Sequence, residues 1–137
     1  LQLDQIPRVC GNLGGGPMFQ DVLREVVDGT EGGVAGLLMG YDGIPVDQYV
    51  RDEGIELPID TVGQEYSVIL KEIRKAAEML EAGEAREMAV KAERMITVVR
   101  LLNDEYFVAV TLKPEGNLGK ARFLLRTRTG KLLDELT

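Results

Sequence analysis

Three segments of strand length are apolar at almost every position, namely residues 34–39, 95–102 and 106–112. A strand with one face in water alternates apolar and polar residues, whereas an unbroken apolar run indicates a strand that is covered on both faces. The sheet that these strands form must therefore lie between two layers. Helices on both faces of the sheet are the common way to supply those layers.

Three segments with helical periodicity can provide the covering layers. The first is expected to end at Gly29. The second is long, about six turns at 3.6 residues per turn, and its expected start is a capping box formed by Thr61 with Gln64 three residues later. The third follows Asn117, a favoured N-cap residue, and is expected to be weakly interrupted at Gly130.

Two further strands complete the set, at residues 46–50 and 86–91. The Asp42-Gly43 pair between apolar runs indicates a tight hairpin, and Pro45 suits an edge strand because it has no N–H to donate. The element order is then helix, strand, strand, helix, strand, strand, strand, helix. Since the strand connections are of hairpin length, the sequence predicts an α+β fold, an α/β/α sandwich with a five-stranded antiparallel sheet.

Residues 1–17 differ in composition from the rest of the chain, because they are rich in glycine just before Met18. Such a stretch is typical of a flexible leader. We expect Met18 to be the natural start, with residues 1–17 as a non-native or disordered extension and residues 18–137 as one domain.

The inventory of reactive side chains excludes several classes of chemistry. Cys10 is the only cysteine and the chain contains no histidine, so a disulfide framework, a Cys/His zinc site and a His-dependent triad are all excluded within the chain. The formal net charge of -7 opposes general binding to a phosphate backbone. No apolar run approaches the roughly 20 residues that cross a bilayer, and we expect a cytoplasmic protein with no metal and no cofactor.

Two sets of residues could suggest a chemical site, and neither forms one. The glycine-rich segment 116–120 is similar to a phosphate-binding loop, but Pro114 stands where that motif needs its first glycine and Ala121 where it needs Ser or Thr. Carboxylates are plentiful, but acid-base catalysis needs a pair in a closed, partly apolar site. The candidates are expected at solvated positions of the first hairpin and of the connector that follows it, and are Asp42, Asp47, Asp52 and Glu53. We expect no catalytic residues.

The third strand has the alternation of an edge strand, with Glu87, Ala89 and Lys91 on one face and Met88 and Val90 on the other. If two copies pair antiparallel about Ala89, Glu87 of each copy faces Lys91 of the other, and the two charges are complementary. The sequence therefore predicts a dimer interface along this strand. The alternative is that the charges only protect the edge from aggregation.

The tip of the first hairpin is a candidate partner-binding site. Tyr41, Asp42 and Ile44 surround the turn, where an aromatic and a β-branched side chain gain little from folding and are available to another protein. The alternative is that these side chains pack down over the edge of the sheet.

Three separated segments carry a resemblance to a known family, namely residues 39–47, 97–101 and 106–107, together with the closing segment 116–122. Combined with the element order, they resemble the roadblock/dynein light chain family over residues 18–137. The resemblance implies homodimers in which the third strands join into a ten-stranded sheet, with the long helices side by side. Tyr66 and Ile73 of the long helix are then expected at the same interface.

The resemblance also implies a role beside a Ras-like GTPase of the MglA type, with no catalytic residue and no cofactor in this chain. The first hypothesis is a dimeric adaptor that binds an MglB-like activating protein or a polarity protein. The second is that the chain itself is a GTPase-activating subunit that positions the catalytic groups of the GTPase. The third is a small-molecule sensor, since a sheet covered by helices can enclose an apolar pocket.

Overall fold

The computed structural model describes residues 16–51 and 58–136. Its elements follow the predicted order, and their bounds are α1 Gly16–Asp28, β1 Gly33–Gly40, β2 Pro45–Val50, α2 Ile59–Met79, β3 Glu87–Lys91, β4 Ile96–Leu101, β5 Tyr106–Leu112 and α3 Leu118–Leu136. Helix α1 thus includes the last two residues of the predicted leader, while residues 1–15 of that leader lie outside the described part of the chain. Asp52 and Glu53 also lie outside it.

The strands form one antiparallel sheet in the order β2-β1-β5-β4-β3. This confirms the predicted fold class. Strand β3 lies at one edge, as its alternating charges indicated, and β2 at the other, where it begins at Pro45. The β1 ladder is irregular between Leu38 and Met39, where the register toward β2 shifts by one residue.

The core has two halves, because every residue of β1 is buried and its side chains alternate between the two sheet faces. Leu37 and Met39 pack with Phe107 and with α2 on one face. Leu38 packs with residues of α1 and α3 on the other face. The continuous apolar strands are therefore explained by helices on both sides of the sheet.

Helix α2 approaches the sheet closely at Gly63. A Cβ at this position would lie 2.3 Å from Leu37 Cδ2 and 2.7 Å from Met39 Cε, so glycine is required by the packing. The predicted capping box is wrong, because the helix begins at Ile59, two residues before Thr61, and no side chain caps its start. Ile59 is buried in the core under α2, and this tertiary packing extends the helix beyond the local signal.

The start of α3 agrees with the prediction, since Asn117 Oδ1 accepts a hydrogen bond from Lys120 N at 3.0 Å. The predicted interruption at Gly130 is wrong, because α3 is continuous through this residue. A Cβ at Gly130 would contact nothing within 4 Å. Helices α3 and α1 cover the same sheet face and are joined by an ion pair of 3.1 Å between Arg128 and Glu25.

Candidate interaction surfaces

The outer edge of β3 carries backbone groups with no partner among the described residues. Arg86 O accepts a hydrogen bond of 3.0 Å from Leu101 N of β4. Ala92 N donates one of 2.9 Å to Met95 O, just before β4. Hydrogen-bonded positions alternate along an antiparallel pair, so the even-numbered residues of β3 bond to β4. The N–H and C=O groups of Glu87, Ala89 and Lys91 therefore point away from the sheet.

The side chains of β3 alternate between the faces as the sequence predicts. Met88 packs against the core under α2, and Ala89 packs against the core under α1 and α3. Val90 follows Met88 on the α2 face and is 38% exposed. Glu87 already has a partner, because its carboxylate pairs with Arg122 of α3 at 2.9 Å. This ion pair holds the edge strand against α3.

Helix α2 has an apolar flank beside the stripe that contacts the core. Its members recur at helical spacing and are Val62, Tyr66, Ile69 and Ile73, followed by Leu80, which caps the end of the helix. Tyr66 and Ile73, which the family resemblance assigned to the interface, are half-buried, while Ile69 and Leu80 are exposed. This flank belongs to the layer that covers the sheet face on which Met88 lies. The same helical period extends the predicted interface to the other three residues.

The β1–β2 hairpin displays two apolar side chains at the opposite edge of the sheet. Gly43 donates to Gly40 O at 3.0 Å and has a φ of 88°, a backbone conformation that favours glycine. Asp42 accepts a bond from Ile44 N at 3.0 Å, so its carboxylate stabilises the turn. The Ile44 side chain is 64% exposed, and Val46 is also exposed.

The predicted display of Tyr41 is wrong, because its side chain is only 6% exposed. The ring packs against Phe107, with 5.5 Å between the ring centroids, and the Arg74 guanidinium lies 4.6 Å above it. Arg74 in turn pairs with Asp104 at 3.1 Å. Burial raises the pKa of Tyr41, and the positive charge of Arg74 opposes that shift. Tyr41 therefore joins the hairpin to α2 and to the β4–β5 turn.

A groove of about 750 Å³ runs between α2 and the end of the sheet that carries Tyr41. Two buried polar atoms in residues of its lining, Tyr41 Oη and Arg100 Nε, have no hydrogen-bond partner among the described residues. Charged side chains of both signs line most of it: Lys71, Arg74, Lys75, Arg86, Arg100, Glu78, Glu81, Glu84 and Asp104. Charges of both signs thus line the groove, whereas small-molecule sites are lined predominantly by hydrophobic and aromatic side chains.

Within residues 16–51 and 58–136, no group of three or more His, Cys, Asp or Glu side chains is placed to hold a metal ion. In the same part of the chain, no helix has the length and apolar character needed to span a membrane. The features that the described residues do offer are an open strand edge, an apolar helix flank and a displayed hairpin. Each of these is a candidate surface for contact with another protein.

The fold is that of solved roadblock-type domains. A Roadblock/LC7 domain from Streptomyces avermitilis matches with a TM-score of 0.68 and 15% identity, over 83% of this chain and 97% of that chain. The gliding protein MglB from Thermus thermophilus matches with a TM-score of 0.75 and 17% identity, over 88% of each chain. These two similarities define the class of fold. No protein-family model and no curated protein matches the sequence.

A third solved structure adds sequence similarity to the shared fold. MglC from Myxococcus xanthus is 39% identical, with a TM-score of 0.60, over 83% of this chain and 95% of that chain. This degree of identity over nearly all of the relative shows homology in addition to a common fold. The chain belongs to the roadblock/dynein light chain family, and within that family it is similar to MglC.

Proposed function

We propose that this protein is a non-catalytic homodimeric adaptor that regulates a Ras-like, MglA-type small GTPase system in bacterial motility or cell polarity. It acts by binding an MglB-like activator or a polarity protein. The observation that carries the proposal is the 39% identity with MglC across 95% of that chain. The similarity to MglB of T. thermophilus, which is described as a gliding protein, supports the same setting through the fold.

The homodimer is proposed to form through the open edge of β3. If two copies pair antiparallel about Ala89, the outward backbone groups of Glu87, Ala89 and Lys91 meet their counterparts as hydrogen-bonded pairs. Two bonds for each pair give about six in total, each worth roughly 0.5–1.5 kcal/mol net. The exposed Lys91 side chain of each copy then faces Glu87 of the other copy. The Glu87 carboxylate can accept a hydrogen bond from Lys91 while it remains paired with Arg122.

Apolar contacts are proposed to provide the rest of the dimer's stability. Val90 and the α2 flank with Ile69 and Leu80 are exposed in the single chain. Burying such side chains between two copies is worth about 25 cal/mol per Å² of apolar surface removed from water. Tyr66 and Ile73, half-buried in the same flank, are expected to become fully buried. The dimer thus combines strand pairing with helix packing.

The partner surface is proposed to lie at the hairpin, at the opposite sheet edge from the dimer contact. Ile44 and Val46 form its apolar part, and Asp42 shapes the turn that presents them. Tyr41 contributes indirectly, because it is buried under Arg74 and fixes the hairpin against α2. In a dimer, this arrangement places one partner surface at each end of the joined sheet.

Binding to the proposed partners is the direct test. Isothermal titration calorimetry should be run with an MglB-like protein, and with an MglA-like GTPase loaded with GDP or with a non-hydrolysable GTP analogue. We expect binding to the MglB-like protein, weakened about tenfold or more by Ile44→Glu because a charge enters an apolar contact. Met79→Glu, at an exposed apolar position at the far end of α2, is the matched control and should bind normally. If neither protein binds in any nucleotide state, the proposal is wrong.

A phosphate-release assay separates this proposal from the alternative of an MglB-like activating subunit. The purified dimer should leave the rate of GTP hydrolysis by the MglA-like protein unchanged when no MglB-like protein is present. Faster hydrolysis with this protein alone would instead assign it a direct role in positioning the catalytic groups of the GTPase.

A further inference from the structure

Helix α3 is basic although the protein as a whole is acidic. It contains five of the 16 Lys and Arg residues and two of the 23 Asp and Glu residues. The helix therefore carries a formal charge of +3, while the rest of the chain carries -10. Both of its carboxylates, Asp134 and Glu135, lie in its last turn. The preceding turns present positive charge alone.

The cations of α3 divide into two groups by their contacts. Arg122 pairs with Glu87 at 2.9 Å, and Arg128 pairs with Glu25 at 3.1 Å, so these two hold α3 against its neighbours. Lys120, Arg126 and Lys131 are exposed, and they form no ion pair with a described residue. No ion pair among the described residues uses the charges of this second group.

Two of these unpaired cations flank an exposed aromatic ring. Phe123 is 47% exposed, with Lys120 Nζ 5.8 Å and Arg126 Cζ 5.6 Å from its ring centroid. Gly119 lies four residues before Phe123 and Gly130 seven residues after it, so at 3.6 residues per turn both glycines lie on the same side of the helix as the ring. A Cβ added at Gly119 would come no closer than 3.6 Å to a neighbouring atom, and one added at Gly130 would contact nothing within 4 Å. Bare helix backbone therefore lies on both sides of the ring.

We propose that this surface, the α3 basic face of Gly119, Lys120, Phe123, Arg126, Gly130 and Lys131, is the docking site for an acidic helix of a partner protein. Charge complementarity selects the acidic partner, and Phe123 is the apolar anchor at its centre. Aromatic and arginine side chains are the residue types enriched at the energetic centres of interfaces. Exposed glycines on both sides let a second helix approach the backbone closely.

A protein helix fits this face better than an anionic membrane or a nucleic acid. A membrane-surface helix inserts an apolar face into the bilayer. The buried leucines of α3 pack in the protein core. Phe123 is then the large apolar side chain on the outer side of the helix. A nucleic acid is bound chiefly through many contacts to its phosphates, and the three unpaired cations of α3 offer few of them.

The test uses the full chain and a defined probe. The probe is a capped helical peptide of about 20 residues, which at 1.5 Å per residue is long enough to span α3. It is built from Ala, Leu and Glu, with the leucines in one stripe along the helix and glutamates on both sides of that stripe. The control peptide has each Glu replaced by Lys. In an NMR titration of ¹⁵N-labelled protein, we expect the acidic peptide to shift the amide signals of Gly119, Phe123 and Gly130, and we expect the basic peptide to leave them unchanged.

Two charge-matched variants measure the contribution of the face by fluorescence anisotropy. Arg126→Gln should weaken binding of the acidic peptide about threefold, as expected for one exposed charge at an interface. Arg94→Gln removes the same charge from a site that is 93% exposed, outside α3, and should have no effect. Phe123→Ala should weaken binding about tenfold. Thermal unfolding checks that each variant remains folded.

Several results would overturn the proposal. These are shifts confined to residues outside α3, equal binding of both peptides, or equal losses for Arg126→Gln and Arg94→Gln. Binding to vesicles of three parts phosphatidylcholine and one part phosphatidylglycerol, lost in Phe123→Ala while the acidic peptide does not bind, would assign the face to membranes instead. Concentration-dependent self-association that is lost in Arg126→Gln would assign it to a second copy of this chain.

Discussion

Replacing Ala89 by proline should separate the dimer while leaving the single chain folded. The Ala89 N–H points away from β4, so proline at this position removes no hydrogen bond of the described sheet. Proline is tolerated on the solvent side of an edge strand for this reason. In the proposed dimer, the same N–H donates to Ala89 of the partner. The substitution therefore acts on the contact between copies.

The size of the effect follows from the strand pairing. Both copies carry the change, so two of about six inter-chain bonds are lost, at roughly 1 kcal/mol each. A loss of about 2 kcal/mol raises the dimer dissociation constant about 30-fold. The proline ring also projects toward the facing strand, where it clashes with the opposite proline, so 30-fold is a lower bound.

Sedimentation equilibrium over a range of protein concentrations measures this constant directly. Ala89→Ser keeps the N–H and serves as the matched control, with an expected dissociation constant within about threefold of the original, since surface substitutions usually change free energies by at most half a kcal/mol. Circular dichroism should show the same secondary structure in all three proteins. A proline variant that is folded and dimerises as tightly as the original protein would refute the β3 interface.

Three further substitutions test the packing of the single chain by chemical denaturation. Gly63→Ala should destabilise the fold by about 1–3 kcal/mol, because the new methyl group overpacks the contact between α2 and β1. Gly130→Ala should instead stabilise it by about 0.5–1 kcal/mol, because the site is open and alanine favours the helix. Tyr41→Phe should raise stability by about 1 kcal/mol, since it removes a buried hydroxyl that bonds to no residue in the described part of the chain. Because burial raises the pKa of Tyr41 above its ordinary value of 10.0, the folded state holds its proton more tightly than the unfolded state, and stability should fall as the pH rises above 10. That fall should be smaller in Tyr41→Phe.

The sheet could be predicted from the sequence because its signals are local. Strand β5 has the predicted bounds, since its apolar run is bordered by polar turns on both sides. Strand β3 lies at an edge as its alternating charges indicated. Asn117 caps α3. In each case the neighbouring residues alone determine the outcome.

The features that the sequence did not reveal depend on contacts between distant segments. Tyr41 is buried because Arg74 and Asp104, from other elements, close over it. The start of α2 moves upstream because Ile59 reaches the core. Phe123 differs from these, because it is out of phase with the buried positions of α3. An aromatic residue between basic residues and outside the helical period is a signal that the sequence did contain.

The two edges of the sheet differ in a way that favours a closed dimer over an open fibre. Arg51 N donates a hydrogen bond of 2.9 Å to Val34 O of β1. Because hydrogen-bonded positions alternate along an antiparallel pair, Gln48, near the middle of β2, turns its backbone N–H and C=O groups away from β1. Gln48 N donates to the Asp47 carboxylate at 2.8 Å, and Gln48 O accepts from Gln20 of α1 at 3.3 Å.

Side chains of the same molecule thus occupy the outward groups of Gln48, and Pro45 removes a further donor at the start of β2. Strand β3 has no equivalent protection, since the outward groups of Ala89 bond to no described residue. A sheet with two open edges adds copies without limit, whereas one with a single open edge closes after two. The side chains that occupy the outward groups of Gln48 therefore favour pairing through β3 over pairing through β2, and they leave Ile44 at the ends of the joined sheet for a different protein.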